Sequence, residues 1–447
     1  MNVGFLMFRT TFLKTMGPLI DRCLGDGHNV AIFYDGDPKF KLGQKGYQAF
    51  TPEQVPDFPA GRPELVECAA GSLANLCREQ GIDVLVTHEG YHFCKSYGYL
   101  GALSQLRKAG TQAVSLSHFY EIAMRPLAAL DHFDKTYYVS DYARELHLRT
   151  QPGPRPNTEV LKELAKKQEV ASSSLFDLVN RASPEEARER LGVAPDQKVV
   201  LVLAPTVNRD LWHTIMWSNR SRLKRSVAAV RARRLRYLWE VWFGVAYEPM
   251  AKAIKGFCKR NDALLVVKAR KKQTDPGPMV READIFLDGS DDEYYPVFTT
   301  HLLLSIASLC VSWGSFGTLE SAVAGVPVLN ILVPPLDWEG ITFIDRRWGE
   351  ILNVADERHP FNYPGCVFGV DRRRIVKFLR DKALHDFKMD QNARQSYLQE
   401  YVGITNQTSS ERILRSMVEL VAGRNDRAEI AAVEAERGVP GETSARS

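Results

Sequence analysis

No stretch of the 447-residue chain approaches eighteen uninterrupted apolar residues, so a membrane-spanning helix is not expected. Cysteine is scarce: the seven are odd in number and contain no C-x-x-C pair, which argues against a disulfide framework or a zinc ribbon and favours a reducing compartment. The apolar N-terminus meets Arg9 too early to hold a signal-peptide core. Excess charge is also slight, and +4 overall does not by itself imply a nucleic-acid partner. What is present, 45% hydrophobic and 25% charged residues, is the composition of a globular protein with two or three domains. The expectation is a cytoplasmic protein.

Short β-branched runs alternate with helical patterns from the start: 3–8, 29–35, 83–88, 112–118 and 135–141. This is the rhythm of a parallel sheet flanked by helices. The pattern dissolves into "QPGPRPN" and a polar stretch over 151–185, then restarts with strands at 198–205, 263–269, 284–289, 309–313 and 326–332. The reading is an α/β protein of two Rossmann-like, doubly wound parallel-sheet domains facing one cleft. The first spans 1–180 and the second 181–390, with an insertion at 209–247. A C-terminal helix follows over 391–423, and 424–447, nearly devoid of large apolar residues, reads as a disordered tail.

The segment His88-Glu89-Gly90-Tyr91-His92 has the H-E-x-x-H spacing of zinc proteases. That spacing works only on a helix, where residues four apart share a face. Here the preceding "IDVLVT" reads as a buried strand and Gly90 is a poor helix former, so no metal is expected. In doubly wound folds ligands bind outside the carboxyl ends of the strands. The polar strand ends, His88, Glu89, His118, Asp141, Lys268, Arg270 and Ser312, are therefore candidates.

The most informative stretch is 308–332, "SLCVSWGSFGTLESAVAGVPVLNIL". A buried strand should end near Trp313, Gly314 to Gly317 should turn the chain, and a helix should begin near Thr318 and end at Gly325. Glycine lets backbone approach a ligand closely, and a helix start favours phosphate. Ser315 and Thr318 add hydroxyls, and Glu320 is either a ribose acceptor or a capping-box glutamate three residues after Gly317.

The segment resembles the nucleotide-sugar site of GT-B glycosyltransferases through Ser315, Gly317, Thr318, Glu320, Gly325 and Pro327. A narrower resemblance, to CDP-glycerol glycerophosphotransferases and related surface-polymer enzymes, runs through "VLVLAPTVNRD", "LLVVKARKK" and "YVGITNQTSSERI". This chain departs from their pattern at Ser312-Trp313-Gly314-Ser315 and Ala269-Arg270-Lys271, which shifts the expectation from a glycerol phosphate toward a sugar donor. The resemblance implies a transferase whose nucleotide-activated donor is its substrate, with no separate cofactor or metal. Ser312, Gly314, Ser315, Gly317, Thr318, Lys268 and Arg270 would hold the diphosphate, and Glu320 the ribose. His88, with Glu89 and His118 behind it, would be the base, since imidazole titrates near neutrality; a structurally hydrogen-bonded histidine is the alternative. Arg9 and Lys14 would meet an anionic acceptor, a glycan or lipid-linked molecule, or else are solvated loop charges. Three other outcomes share the fold: a CDP-alditol phosphotransferase, a sugar-nucleotide 2-epimerase and a non-catalytic scaffold.

The insertion 209–247 carries nine basic residues against Asp210 and Glu240, with Trp212, Trp217, Trp239 and Trp242. Cationic helices flanked by tryptophan suit anionic lipid headgroups. The alternative is a helix pair whose tryptophans pack inward. No nucleic-acid module surrounds the charge, so no nucleic-acid partner is expected.

Overall fold

The computed structural model describes residues 1–35, 49–117, 125–149, 158–204, 222–231, 247–269, 277–332, 358–403 and 407–436. Among these, one sheet contains β1 (Asn2–Met7), β2 (Asn29–Tyr34), β3 (Glu64–Glu67), β4 (Val84–His88), β5 (Gln112–Leu116), β6 (Lys135–Tyr138) and β7 (Gln168–Val170). Its order is β3-β2-β1-β4-β5-β6-β7. A second sheet contains β8 (Lys198–Leu203), β9 (Ala263–Lys268), β10 (Ile285–Leu287), β11 (Leu309–Ser312), β12 (Val328–Leu332) and β13 (Val367–Asp371), in the order β10-β9-β8-β11-β12-β13. Every pairing is parallel. The fold is thus two Rossmann-like domains in the GT-B arrangement, as the strand rhythm predicts.

The central strands read as continuous apolar runs because helices cover both faces. Val3, Phe5, Leu6 and Met7 of β1, and Val199 to Val202 of β8, are almost fully buried. Each such side chain contributes about 1.5–3 kcal/mol on burial. All seven cysteines are buried free thiols. Strand order reverses between β1 and β4 in the first sheet and between β8 and β11 in the second. In doubly wound folds, ligands bind outside the carboxyl ends of the strands at such switch points.

The domains meet along the first helix (Leu13–Gly25) and a 3-10 segment, Ser174–Arg181, that leads into the second domain. Gly17 lies so close to Tyr295 that a Cβ there would sit 2.5 Å from the ring. The Arg181 guanidinium donates to the Tyr295 hydroxyl at 2.8 Å and to Asp21 at 3.1 Å. Phe176 stacks on Phe316 with ring centroids 5.3 Å apart.

Two expectations for the C-terminal part are corrected. The single helix expected to end at 423 is two: Gln391–Tyr397, prolonged by a π-turn over Leu398–Val402, and Ser409–Glu436. The break follows Gly403, whose φ is +66° and where any Cβ would lie 2.5 Å from the Val139 carbonyl oxygen, so that only glycine fits. The second helix continues through 424–436, expected from composition to be a disordered tail, because that stretch is rich in the strong helix formers Ala, Glu and Arg. Residues 437–447 lie outside the described residues.

This C-terminal part returns to the first domain. Ile413, Leu414 and Met417 join the first domain's core. Asp177 of the 3-10 segment accepts from Ser409 N at 3.0 Å, Ser410 N at 2.9 Å and Ser410 Oγ at 2.5 Å, capping the last helix.

Candidate functional site

At the first switch point, β4 delivers His88 and the chain turns sharply. Glu89 adopts a left-handed conformation, φ +47°, and the helix Gly90–Ser96 follows. A side chain at 90 would overlap Thr87 Oγ1 and approach the Phe133 ring to 2.6 Å, so glycine is needed at the helix start. His88 therefore ends a strand while His92 lies in the next helix. The two do not share the helical face that the zinc spacing requires.

His88 is 6% exposed, with Phe12 against its ring at 4.6 Å. Its Nδ1 is 3.1 Å from Thr15 Oγ1, and that hydroxyl donates to the Phe12 carbonyl at 3.0 Å. With the hydroxyl proton directed to Phe12, Thr15 accepts from Nδ1–H, which leaves Nε2 as the basic nitrogen of a neutral ring. Burial, then the Lys14 and Arg9 cations, push the ring's pKa down to about 3. Glu89 is 4% exposed and its N–H donates to the Leu116 carbonyl at 2.8 Å.

Arg9 is buried rather than solvated. Its guanidinium bonds the Tyr97 hydroxyl at 3.2 Å through both Nε and Nη2 and lies 4.7 Å over the Phe93 ring. Lys14 instead reaches across the domains, its ammonium 5.3 Å from the Phe298 ring.

At the second switch point, β11 ends in the fully buried Ser312, and Gly314 turns at φ +57°. Gly314 N–H donates to Asn330 Oδ1 at 2.8 Å, and Asn330 Nδ2 donates to the Phe361 carbonyl at 3.0 Å, which fixes the turn. Ser312 and Ser315 hydroxyls lie 2.9 Å apart, and Thr318 Oγ1 donates to Ser312 Oγ at 3.2 Å. Three hydroxyls thus cluster where the resemblance expects a diphosphate. Gly317 opens the helix Gly317–Val323 against β8, since a Cβ there would overlap Leu203 Cδ1.

The capping-box alternative for Glu320 does not match the geometry, because Phe316, at the N-cap, forms no side-chain cap bond. Glu320 is 4% exposed, and its Oε1 lies 4.0 Å from His301 Nε2. Arg394, from the C-terminal part, donates to the Ala322 and Val323 carbonyls at 2.8 and 2.7 Å and closes the helix's far end.

Lys268 ends β9 as expected, but its ammonium is paired with Asp292, 2.6 Å from Oδ1 and 2.7 Å from Oδ2, and both side chains are nearly buried. His118 and Arg270 lie outside the described residues, as do 205–221 and 232–246 of the insertion and its flanks. Asp141 opens a helix and pairs with Arg144 at 2.5 Å.

His301 is absent from the candidates read from the sequence. It sits in the helix Thr299–Leu304, 1% exposed, between Phe298 and Glu320. Burial and then Lys14 push its pKa to about 3. Lys14 is therefore near enough to lower both His88 and His301, and it marks the seam where the two halves converge. Among the described residues no group of three or more His, Cys, Asp or Glu side chains is arranged to hold a metal, and no helix is long and apolar enough to cross a membrane.

No protein-family model matches the chain, and no curated protein sequence matches it. Solved structures do. A putative UDP-N-acetylglucosamine 2-epimerase from Listeria monocytogenes aligns with TM-score 0.54 at 14% identity over 92% of this chain and 94% of that one. The wall teichoic acid polymerase TagF aligns with TM-score 0.53 at 12% identity over 95% of this chain and 89% of that one. UDP-GlcNAc 2-epimerase from Neisseria meningitidis bound to UDP-GlcNAc aligns with TM-score 0.51 at 11% identity over 94% of this chain and 100% of that one. At these identities the likeness is one of fold.

Proposed function

We propose that the chain is a GT-B transferase that moves a sugar from a nucleotide-sugar donor to a cell-surface glycan or lipid-linked acceptor. The observation that carries this reading is a chain of contacts across the domains: Phe12 packs on His88, and Lys14, two residues further on, reaches the Phe298 ring, which packs on His301 beside Glu320. The fold is shared with proteins described as UDP-N-acetylglucosamine 2-epimerases or a wall teichoic acid polymerase, one of them bound to UDP-GlcNAc, which supports a nucleotide-activated substrate.

In this mechanism Nε2 of neutral His88 takes the acceptor hydroxyl's proton as that oxygen forms a bond to the anomeric carbon. The bond from that carbon to the diphosphate oxygen breaks, and the nucleoside diphosphate leaves with the electron pair. A ring with a pKa of about 3 is a weak base when the site is empty. An anionic diphosphate or acceptor beside Lys14 and Arg9 offsets the two cations that depress it, raising its proton affinity when substrate is bound. The clustered hydroxyls of Ser312, Ser315 and Thr318 receive the diphosphate, and Glu320 accepts from the ribose. Lys268 assists only as part of its pair with Asp292.

A second reading, epimerisation of the donor sugar without an acceptor, takes support from the epimerase structures, which align over 94–100% of their own length. Incubating a nucleotide sugar alone and assaying for its epimer separates the two.

An anionic membrane surface is the proposed site of work. In the helix Arg222–Arg231, Leu223, Val227 and Val230 are 68%, 42% and 49% exposed at i, i+4 and i+7, while Ser226 is buried. Such an outward apolar stripe on a basic helix suits the headgroup boundary of anionic lipid.

The test is thermal stability with UDP, GDP or CDP, for the native chain and a Ser315→Ala/Glu320→Ala variant. A ligand present at a hundred times its Kd stabilises the folded state by about 2.7 kcal/mol. Stabilisation by one nucleotide that is lost in the variant supports the reading; no response to any of them refutes it.

A further inference from the structure

The imidazole of His301 is unusual in its surroundings. It is 1% exposed, Phe298 packs edge-on at 5.1 Å, and its own helix is otherwise Thr299, Thr300 and three buried leucines. An apolar side chain would satisfy that packing. Neither ring nitrogen completes a well-formed hydrogen bond: the Leu178 carbonyl is nearby but outside good geometry, and Glu320 Oε1 stops at 4.0 Å from Nε2. A buried polar group left in this state costs free energy unless a partner arrives. A carboxylate lies close by: Glu320, proposed above to grip ribose, on the neighbouring helix Gly317–Val323.

The geometry points to His301 as a positioning residue for Glu320, an inference that rests on the nucleotide site proposed above. When a ribonucleotide seats against the Gly317–Val323 helix, an approach of roughly 1 Å brings Nε2–H to the length of a charge-assisted hydrogen bond with Oε1. One carboxylate oxygen is then held by the neutral ring, and the other faces the ribose hydroxyls. Because the donor is a neutral N–H, the carboxylate keeps its charge and its strength as an acceptor. The group that His301 serves is a vicinal diol on a nucleoside diphosphate, not the diphosphate itself.

The distinguishing readout is the preference for a ribonucleoside diphosphate over its 2′-deoxy counterpart, measured by calorimetry with the nucleotide that stabilises the native chain. His301→Phe should weaken the ribonucleotide by about tenfold, corresponding to about 1.4 kcal/mol, and leave the 2′-deoxy nucleotide within about threefold. The preference therefore collapses. His301→Gln, whose amide N–H reaches a similar position, should restore most of it. A general packing defect would instead weaken both nucleotides together and would not be rescued by Gln. If His301→Phe keeps the native preference, or weakens both equally, the inference is wrong. If that variant does not fold, His301→Gln and His301→Asn decide: Gln retaining the preference and Asn losing it supports the inference, and equal behaviour overturns it. Glu320→Gln separates this result from the site itself, because a preference unchanged in Glu320→Gln defeats the ribose assignment and the inference with it. A collapse in Glu320→Gln alone defeats only the role of His301.

Discussion

Lowering the pH from 7 to 5 should destabilise the folded chain by about 4 kcal/mol through His88 and His301 alone. In the unfolded chain each ring takes up a proton near the ordinary 6.5; in the folded chain neither does until about 3. The folded pKa is depressed, so the neutral ring's contribution is fully present above 6.5 and falls away as the pH drops toward 3. Each ring costs about 1.4 kcal/mol per pH unit below 6.5, hence about 2 kcal/mol at pH 5. Against a typical total stability of about 5–15 kcal/mol, the pair is a large share. Urea melts at pH 7, 6 and 5 measure the slope in the native chain and in a His88→Gln/His301→Gln variant. Carboxylates titrate alike in both chains and cancel in the comparison. The variant should lose stability less steeply, by close to two protons' worth. Equal slopes would refute the claim that these rings are held neutral by burial.

Three further outcomes follow from the geometry. Lys268→Met strands Asp292 in a nearly buried site and should cost about 3–5 kcal/mol in a urea melt, most of it recovered by the Lys268→Met/Asp292→Leu double variant; a loss under about 1 kcal/mol would show that the pair is not truly desolvated. His88→Ala should cut turnover at least about a hundredfold at unchanged nucleotide affinity, and a loss within about tenfold would remove it as the base. The chain should sediment with anionic but not neutral vesicles, and Leu223→Asp/Val227→Asp should release it; equal binding to both vesicle types, or none, defeats the membrane proposal.

The central strands are legible in the sequence because they are buried on both faces and read as unbroken apolar runs. β3, β7 and β13 are not, since "ELVE" and "QEV" are short strands carrying charge, and β13 is interrupted by Gly369. The turn after β11 is also legible, because its glycines and hydroxyls are local in sequence. Partnerships between distant segments leave no such mark. Asp292 lies 24 residues beyond Lys268, and nothing in "DGSDDEYY" singles it out from its acidic neighbours. His301 hides in "TTHLLL", an apolar helix by any local measure, and gains meaning only beside Glu320 and Lys14. The split of the C-terminal helix likewise depends on the Val139 carbonyl, from a strand end far earlier in the chain.

The return of the last helices to the first sheet has a consequence for biosynthesis. The strands of that sheet leave the ribosome before the second domain, but Ile413, Leu414 and Met417, which pack into their core, are made after it. Until then the face of the Leu13–Gly25 helix that meets the Ser409–Glu436 helix is uncovered, and the Asp177 carboxylate waits without the N–H groups it will cap. The early half must therefore persist as an unfinished, sticky intermediate while the whole second domain is synthesised and folds. Premature termination after the second domain would thus deprive the first, already synthesised half of its covering, rather than merely trimming an appendage.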